Sequence, residues 1–258
     1  MAELRVLVAK LSLPKNVRKK ERDKVPALET LCIVCRRLSE ASKLTTVALD
    51  FGRSAACVSR FFWHVVRILW KRHRQLIQFN RQLIPNRMRD YCNAVERKGT
   101  KLHGCWAFID VYNGHPRRHC FNYQGLATPD GHLVGMATTR RNVLSQSGFL
   151  DRFRFDPEDL FRRLVSWQGH IWASKFNAHL SSVCECVEWA FARLKMLWSY
   201  LNFDKKMKAR NGPGGKLFLV AVLLANCHYY LQPHGSQTTM YFGIRPTTLD
   251  EYLNMLII

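Results

Sequence analysis

A chain of 258 residues, 47% hydrophobic and 23% charged, is long enough for one large domain or a small one joined to a medium one, and too apolar for wholesale disorder. Its 40 Lys and Arg against 19 Asp and Glu give a formal charge of +21, which says nothing about fold but directs the surface toward a polyanion, most often nucleic acid. The longest apolar run, Leu217 to Ala225, is nine residues where a membrane span needs about 20, so no membrane partner is expected.

The basic charge leads: 23 basic and 9 acidic residues lie up to Asp110, and 17 and 10 beyond it. Arg5 and Lys10 interrupt the apolar N-terminus before a secretory core can form, and nine irregularly spaced cysteines read as reduced thiols of an intracellular protein. Residues 1–25 read as a basic N-terminal arm, solvated from Pro14 to Lys24, with equal claims as a leader and as a DNA-contacting arm.

Residues 26–100 read as helical. From Pro26 onward Leu28, Leu31, Cys32, Cys35 and Leu38 recur at threes and fours along one stripe, which makes Cys32 and Cys35 core residues. The rival reading of that pair, half of a zinc site, lacks a second pair at ligand spacing. Residues 44–70 then read as helix, turn, helix, with Val47 and Ala48 inward, Gly52 in the turn and Ser54 capping the second helix. Val58, Phe61, Phe62, Val65 and Leu69 form that helix's buried face.

This is the layout of a helix-turn-helix, whose second helix enters the major groove with its N-terminal residues leading. The groove-facing candidates are Arg53, Ser54, Ala56, Ser59, Arg60 and Trp63, and of these Arg53, Ser54, Ser59 and Arg60 form the DNA-binding set. Arginine grips guanine bidentately and serine bonds either base. The alternative is a helical hairpin with a solvated basic face. Arg67, Lys71, Arg72, Arg74, Arg81, Arg87 and Arg89 keep the segment positive to about Lys98 and suit phosphate contacts, which position a protein without reading sequence.

Residues 101–258 change period. A short strand runs from Cys105 to Val111, Asn113-Gly114 signals a tight turn, and strands from His119 to Ala127 and His132 to Thr138 are joined by Thr128-Pro129-Asp130-Gly131. Three adjacent strands make an antiparallel meander. Helices follow from Pro157 to Trp167, Val183 to Leu201 and Leu217 to Leu231. The middle one buries Val187, Phe191, Leu194, Trp198 and Leu201 and leaves Glu188 just off that stripe; the last, apolar nearly all round, should be central.

Asp110, at the end of a buried strand, and Glu188 are acids on otherwise apolar elements. Converging carboxylates that hold divalent cations are what metal-assisted phosphodiester cleavage needs, although two acids by themselves also read as a turn Asp and a surface Glu. His119, Cys227 and His228 read as packing residues rather than ligands.

The segments FID at 108–110, YNGHPRRHCFNYQGLATPDGHLVGM at 112–136, SGFLDRF at 147–153, VEWAF at 187–191, LVAVLLANCHYYL at 219–231 and PTTLDEYL at 246–253 resemble the DDE superfamily endonuclease domain of Harbinger-like transposases, the cut-and-paste DNA elements of eukaryotes. The resemblance runs from about Ala27 to Leu253, and the stretch RRLSEASKLTTVALDFGRSAACVSRFF resembles the helix-turn-helix region that precedes this domain. It implies an α/β, RNase H-like domain over 101–258, a short mainly antiparallel sheet flanked by helices, preceded by an all-α helix-turn-helix region over 26–100. It also implies a triad of acids binding Mg²⁺ or Mn²⁺, cleavage of double-stranded DNA, a nuclear location, and a second DNA-binding protein or further copies of the chain as partners.

By motif position Asp110 matches the first acid and Glu188 the last. The middle acid is degenerate: the chain reads Thr139-Arg140-Arg141-Asn142-Val143 where the family carries a Gly-Arg-Arg-His-Asp-like stretch, so Asn142 stands at or beside the expected Asp and offers a neutral oxygen in place of a charge. Asp151, Asp156, Glu158 and Asp159 are nearby acids that can substitute. The loop after Asp110 and the segment between Arg163 and Cys184 are shorter than the family pattern, which fits a decayed or domesticated copy or a mis-spliced gene model. Function therefore divides between an impaired metal-dependent endonuclease and a catalytically inactive DNA-binding protein of the same descent.

Overall fold

The protein is mixed α/β and mostly helical. A computed structural model describes residues 2–18, 24–40, 42–78, 80, 82–99, 104–113, 122–138, 185–186, 188–201, 214–231 and 236–253. The expected turn at Asn113-Gly114 and the helix from Pro157 to Trp167 lie wholly or partly outside these residues, as do Asn142, Asp151, Asp156, Glu158 and Asp159.

The described residues among the first 25 differ from a solvated arm. Helix α1 (Ala2–Lys10) is followed by strands β1 (Asn16–Arg18) and β2 (Lys24–Pro26), paired antiparallel with Val17 opposite Val25. Leu11, Val17 and Val25 are buried, and the His73 ring holds the Leu11 carbonyl at 3.3 Å. Two isolated valines among lysines and arginines carry no periodicity, yet a two-stranded ribbon needs only one inward residue per strand.

Helix α2 (Ala27–Ser39) turns Ala27, Thr30, Leu31, Ile33, Val34 and Leu38 inward. Cys32 and Cys35 are only half-buried, because Ile33 and Val34 take the innermost positions. Burial still pushes the Cys35 thiol up to about 12, which keeps the metal-free thiol neutral at neutral pH.

Helix α3 (Leu44–Asp50) buries Val47 and Ala48, and Gly52, at φ +59°, makes the turn into α4 (Ala55–Gln78). The Ser54 hydroxyl accepts from the Cys57 amide at 3.2 Å and so caps α4. Val58, Phe61, Phe62, Val65 and Leu69 are all fully buried, and α4 packs against α2 and α3. Helix α5 (Leu83–Glu96) follows.

Strands β3 (Phe108–Asn113), β4 (Asn122–Ala127) and β5 (Leu133–Thr138) form the antiparallel meander in the order β3-β4-β5. Gly131, at φ +85°, closes the β4–β5 turn, where the Thr128 amide donates to the His132 carbonyl at 3.0 Å. Helix α6 (185–186 and 188–197 among the described residues) runs into a 3₁₀ turn at Ser199–Leu201, and the Trp198 indole donates to the Ala221 carbonyl at 2.9 Å.

Helix α7 (Gly214–Tyr230) is buried without a break from Leu217 to Leu224 and packs against both α4 and β5. Its central place follows from its composition, since a helix without a polar face must be covered all round. Short helices α8 (Gln237–Phe242), opened by a Ser236/Thr239 capping box, and α9 (Leu249–Leu253) follow. No helix among the described residues is long and apolar enough to cross a membrane.

Candidate nuclease site and nucleic-acid interface

Asp110 lies within β3, where backbone pairing sets it opposite Gly125 of β4, itself opposite Met136 of β5. The Phe191 ring occupies the space that a side chain at position 125 would need. Phe191 belongs to the buried stripe of α6 with Ala190 and Leu194, and Glu188, one turn earlier, is exposed. The sheet at the register of Asp110 and the helix bearing Glu188 are therefore neighbours, held together because position 125 is glycine.

Asn142 and its nearby acids are outside the described residues, and among those residues no group of three His, Cys, Asp or Glu side chains is placed to hold a metal ion. Two carboxylates suffice for one hard cation, since Mg²⁺ keeps several waters and is commonly bound through one or two carboxylates. They do not suffice for a closely spaced metal pair, whose mutual repulsion calls for more negative charge.

Among the described residues the strongest cluster of ionisable groups is elsewhere, and the sequence reading passed over it. Asp130, in the β4–β5 turn, is fully buried with His132 and Thr128. Its carboxylate accepts from the Thr128 hydroxyl at 2.6 Å, from the Tyr91 hydroxyl of α5 at 2.8 Å, and from the Thr247 hydroxyl near the C-terminus. His132 Nδ1 stands 3.0 Å from Asp130 Oδ1, close enough for strong attraction but poorly aligned for a hydrogen bond.

Burial alone would push the Asp130 carboxyl up; the adjacent His132, then the Thr128 and Thr247 hydroxyls, outweigh it and hold the carboxyl below the ordinary carboxylate range. Burial and the facing carboxylate push the Tyr91 phenol up. The His132 ring stacks on Tyr230 at 4.5 Å with only 10° between the planes, and Tyr229 stands 4.7 Å away. Asn226 of α7 donates to the Leu133 carbonyl at 3.0 Å and to the Tyr252 hydroxyl at 2.9 Å.

With Thr128, Asp130, His132 and Tyr91 all buried, this cluster is a clasp that ties α5, the β4–β5 turn, α7 and the C-terminal segment together. Pro-Asp-Gly in a turn was visible in the sequence, but the partners lie 39 and 117 positions away. No local pattern announces such a convergence.

At the helix-turn-helix candidate, Arg53 is engaged inside the molecule. Its Nε and Nη2 donate to the two carboxylate oxygens of Glu29 at 2.8 and 3.0 Å, a bidentate ion pair that ties the turn to α2. Reading a guanine with Arg53 requires giving up that pair. Ser54 is exposed but serves as the α4 cap, and Ser59 and Arg60 are half-buried on its first turns. Arg67, Lys71, Arg72 and Arg74, farther along α4, are exposed.

No protein-family model, curated protein or solved structure matches this chain.

Proposed function

We propose that the chain is a transposase-derived, metal-dependent DNA endonuclease of the Harbinger-like DDE class, acting in the nucleus on the phosphodiesters of duplex DNA. In this reading the sheet with α6 and α7 is an RNase H-like unit, and α3 with α4 is a helix-turn-helix in front of it. The observation that supports it most is the register of β3: Asp110 pairs with Gly125, Gly125 is covered by Phe191, and Glu188 is exposed one turn before Phe191. Those are the positions that the sequence resemblance gives to the first and last metal-binding acids.

Asp110 and Glu188 would hold a single Mg²⁺ or Mn²⁺, with Asn142 at the degenerate third position. Such an ion, when bound, neutralises charge at a phosphate and makes water more acidic. Gly125 lets α6 approach the sheet, and the cations of α4 would hold the nucleic acid. The test is nicking of supercoiled plasmid in MgCl₂ or MnCl₂, expected for the unaltered protein and lost in Asp110→Ala and Glu188→Gln. Absence of nicking by well-folded protein would overturn it.

A second reading, a DNA-binding protein of the same descent without catalysis, is favoured by Asn142, which removes one negative charge from the expected site. It predicts duplex binding that is indifferent to a chelator such as EDTA. A partner that supplies further DNA contacts, whether another protein or a second copy of the chain, is compatible with both readings.

A further inference from the structure

From Phe51 to Arg89 the chain holds nine Lys and Arg and no acidic residue, and α4 lies wholly inside this stretch. A solvated helix face ordinarily mixes signs at i, i+4, whereas like charges at that spacing destabilise. On α4 the exposed Arg67, Lys71, Arg72 and Arg74 make no ion pair among the described residues, although Arg36, Arg53, Arg87 and Arg245 are all paired with acids. The helix dipole does not account for them, because the last turn of α4 has no basic residue.

Helical periodicity puts Arg67, Lys71, Arg74 and Gln78 along one ridge within about 60° of arc, with successive cations about 6 and 4.5 Å apart along the axis. The opposite face of α4, Val58 through Ile77, is spent on the core. No apolar face remains to enter a lipid headgroup layer, as a membrane-surface helix requires. The exposed residues from Arg67 to Gln78 include no aromatic ring on which a splayed base could stack, as single-strand binders use. What remains is a rigid row of cations and amides, with Arg72 about 100° round the helix from Lys71, suited to a phosphate backbone.

We propose that the distal half of α4, rather than its N-terminal turns, is the duplex-DNA surface, and that Arg67, Lys71, Arg72 and Arg74 bind backbone phosphates without regard to sequence. The proposal rests on the nucleic-acid reading of the chain but not on its metal site, so nicking can fail while this surface stands.

The experiment is fluorescence anisotropy with unrelated duplexes of about 20 base pairs across a KCl series. Each neutralised phosphate contributes about 0.9 to the slope of log affinity against log salt, so changing all four residues to Gln should flatten it by about 3 to 4. Between about 50 and 200 mM KCl the unaltered protein should then lose roughly a hundredfold more affinity than the variant, equally for every duplex. Lys71→Gln and Arg74→Gln singly should each flatten the slope by about 0.9, while Arg53→Ala leaves it unchanged. An unchanged slope in the quadruple variant overturns the surface alone. Absence of duplex binding, or binding only to phosphatidylserine vesicles, overturns the nucleic-acid reading with it.

Discussion

Asp130 and Glu188 are both acids in a strongly basic chain, and their surroundings are opposite. Asp130 is sealed beneath α5 and the C-terminal segment, with three hydroxyl donors and an imidazole around it. Glu188 is exposed at the start of α6, beside a sheet whose neighbouring strand carries Asp110. A strongly perturbed carboxylate is often taken as the mark of an active site. Here the perturbed acid holds the fold together, and the acid proposed to meet a metal is the exposed one.

The contrast breaks most forcefully at the clasp. Asp130→Ala takes an acceptor from three buried hydroxyls and the facing carboxylate from His132, and should cost about 3 to 5 kcal/mol of unfolding free energy, measured by urea denaturation. The carboxyl is held below its ordinary value in the folded state, so its contribution is present above about pH 4 and fades as pH falls below that. The melting temperature should therefore drop on acidification more steeply in the unaltered protein than in Asp130→Ala. Equal pH dependence would show that Asp130 is not the clasp's charged centre.

A smaller effect is expected where sheet meets helix. Gly125→Ala drives a methyl group into the Phe191 ring, an overpacking that should cost about 1 to 3 kcal/mol and be relieved in part by Phe191→Leu. Because this contact sets α6 against β4, the same change should also weaken any metal binding that depends on Asp110 and Glu188. Tyr91→Phe, which removes one of several donors to Asp130, should cost about 1 kcal/mol. Smallest of all, Glu188→Gln should alter stability by no more than about 0.5 kcal/mol, as expected at an exposed position.

Local patterns made much of this fold legible before the structure. The meander, the Pro-Asp-Gly turn, the buried stripe of α4 and the central place of α7 all rest on spacing within a dozen residues or on composition. What escaped rests on pairings distant in sequence. Val17 and Val25 form a ribbon only because each faces the other, and Arg53 looks free until Glu29, 24 positions earlier, comes beside it. Cys32 and Cys35 fall on the expected helical stripe but yield the deepest places to Ile33 and Val34. Of the proposed site, Asp110 and Glu188 were legible as acids on apolar elements, whereas the packing of α6 against the sheet at the register of Asp110 depends on a glycine under a phenylalanine from another element.

The proposed shared ion is best tested by calorimetric titration of the folded protein with MnCl₂. One Mn²⁺ per chain should bind the unaltered protein and be lost in Asp110→Asn and equally in Glu188→Gln, with Asp130 intact in all three. Undiminished binding in either variant would contradict the pairing of those two acids and leave only a basic surface for DNA.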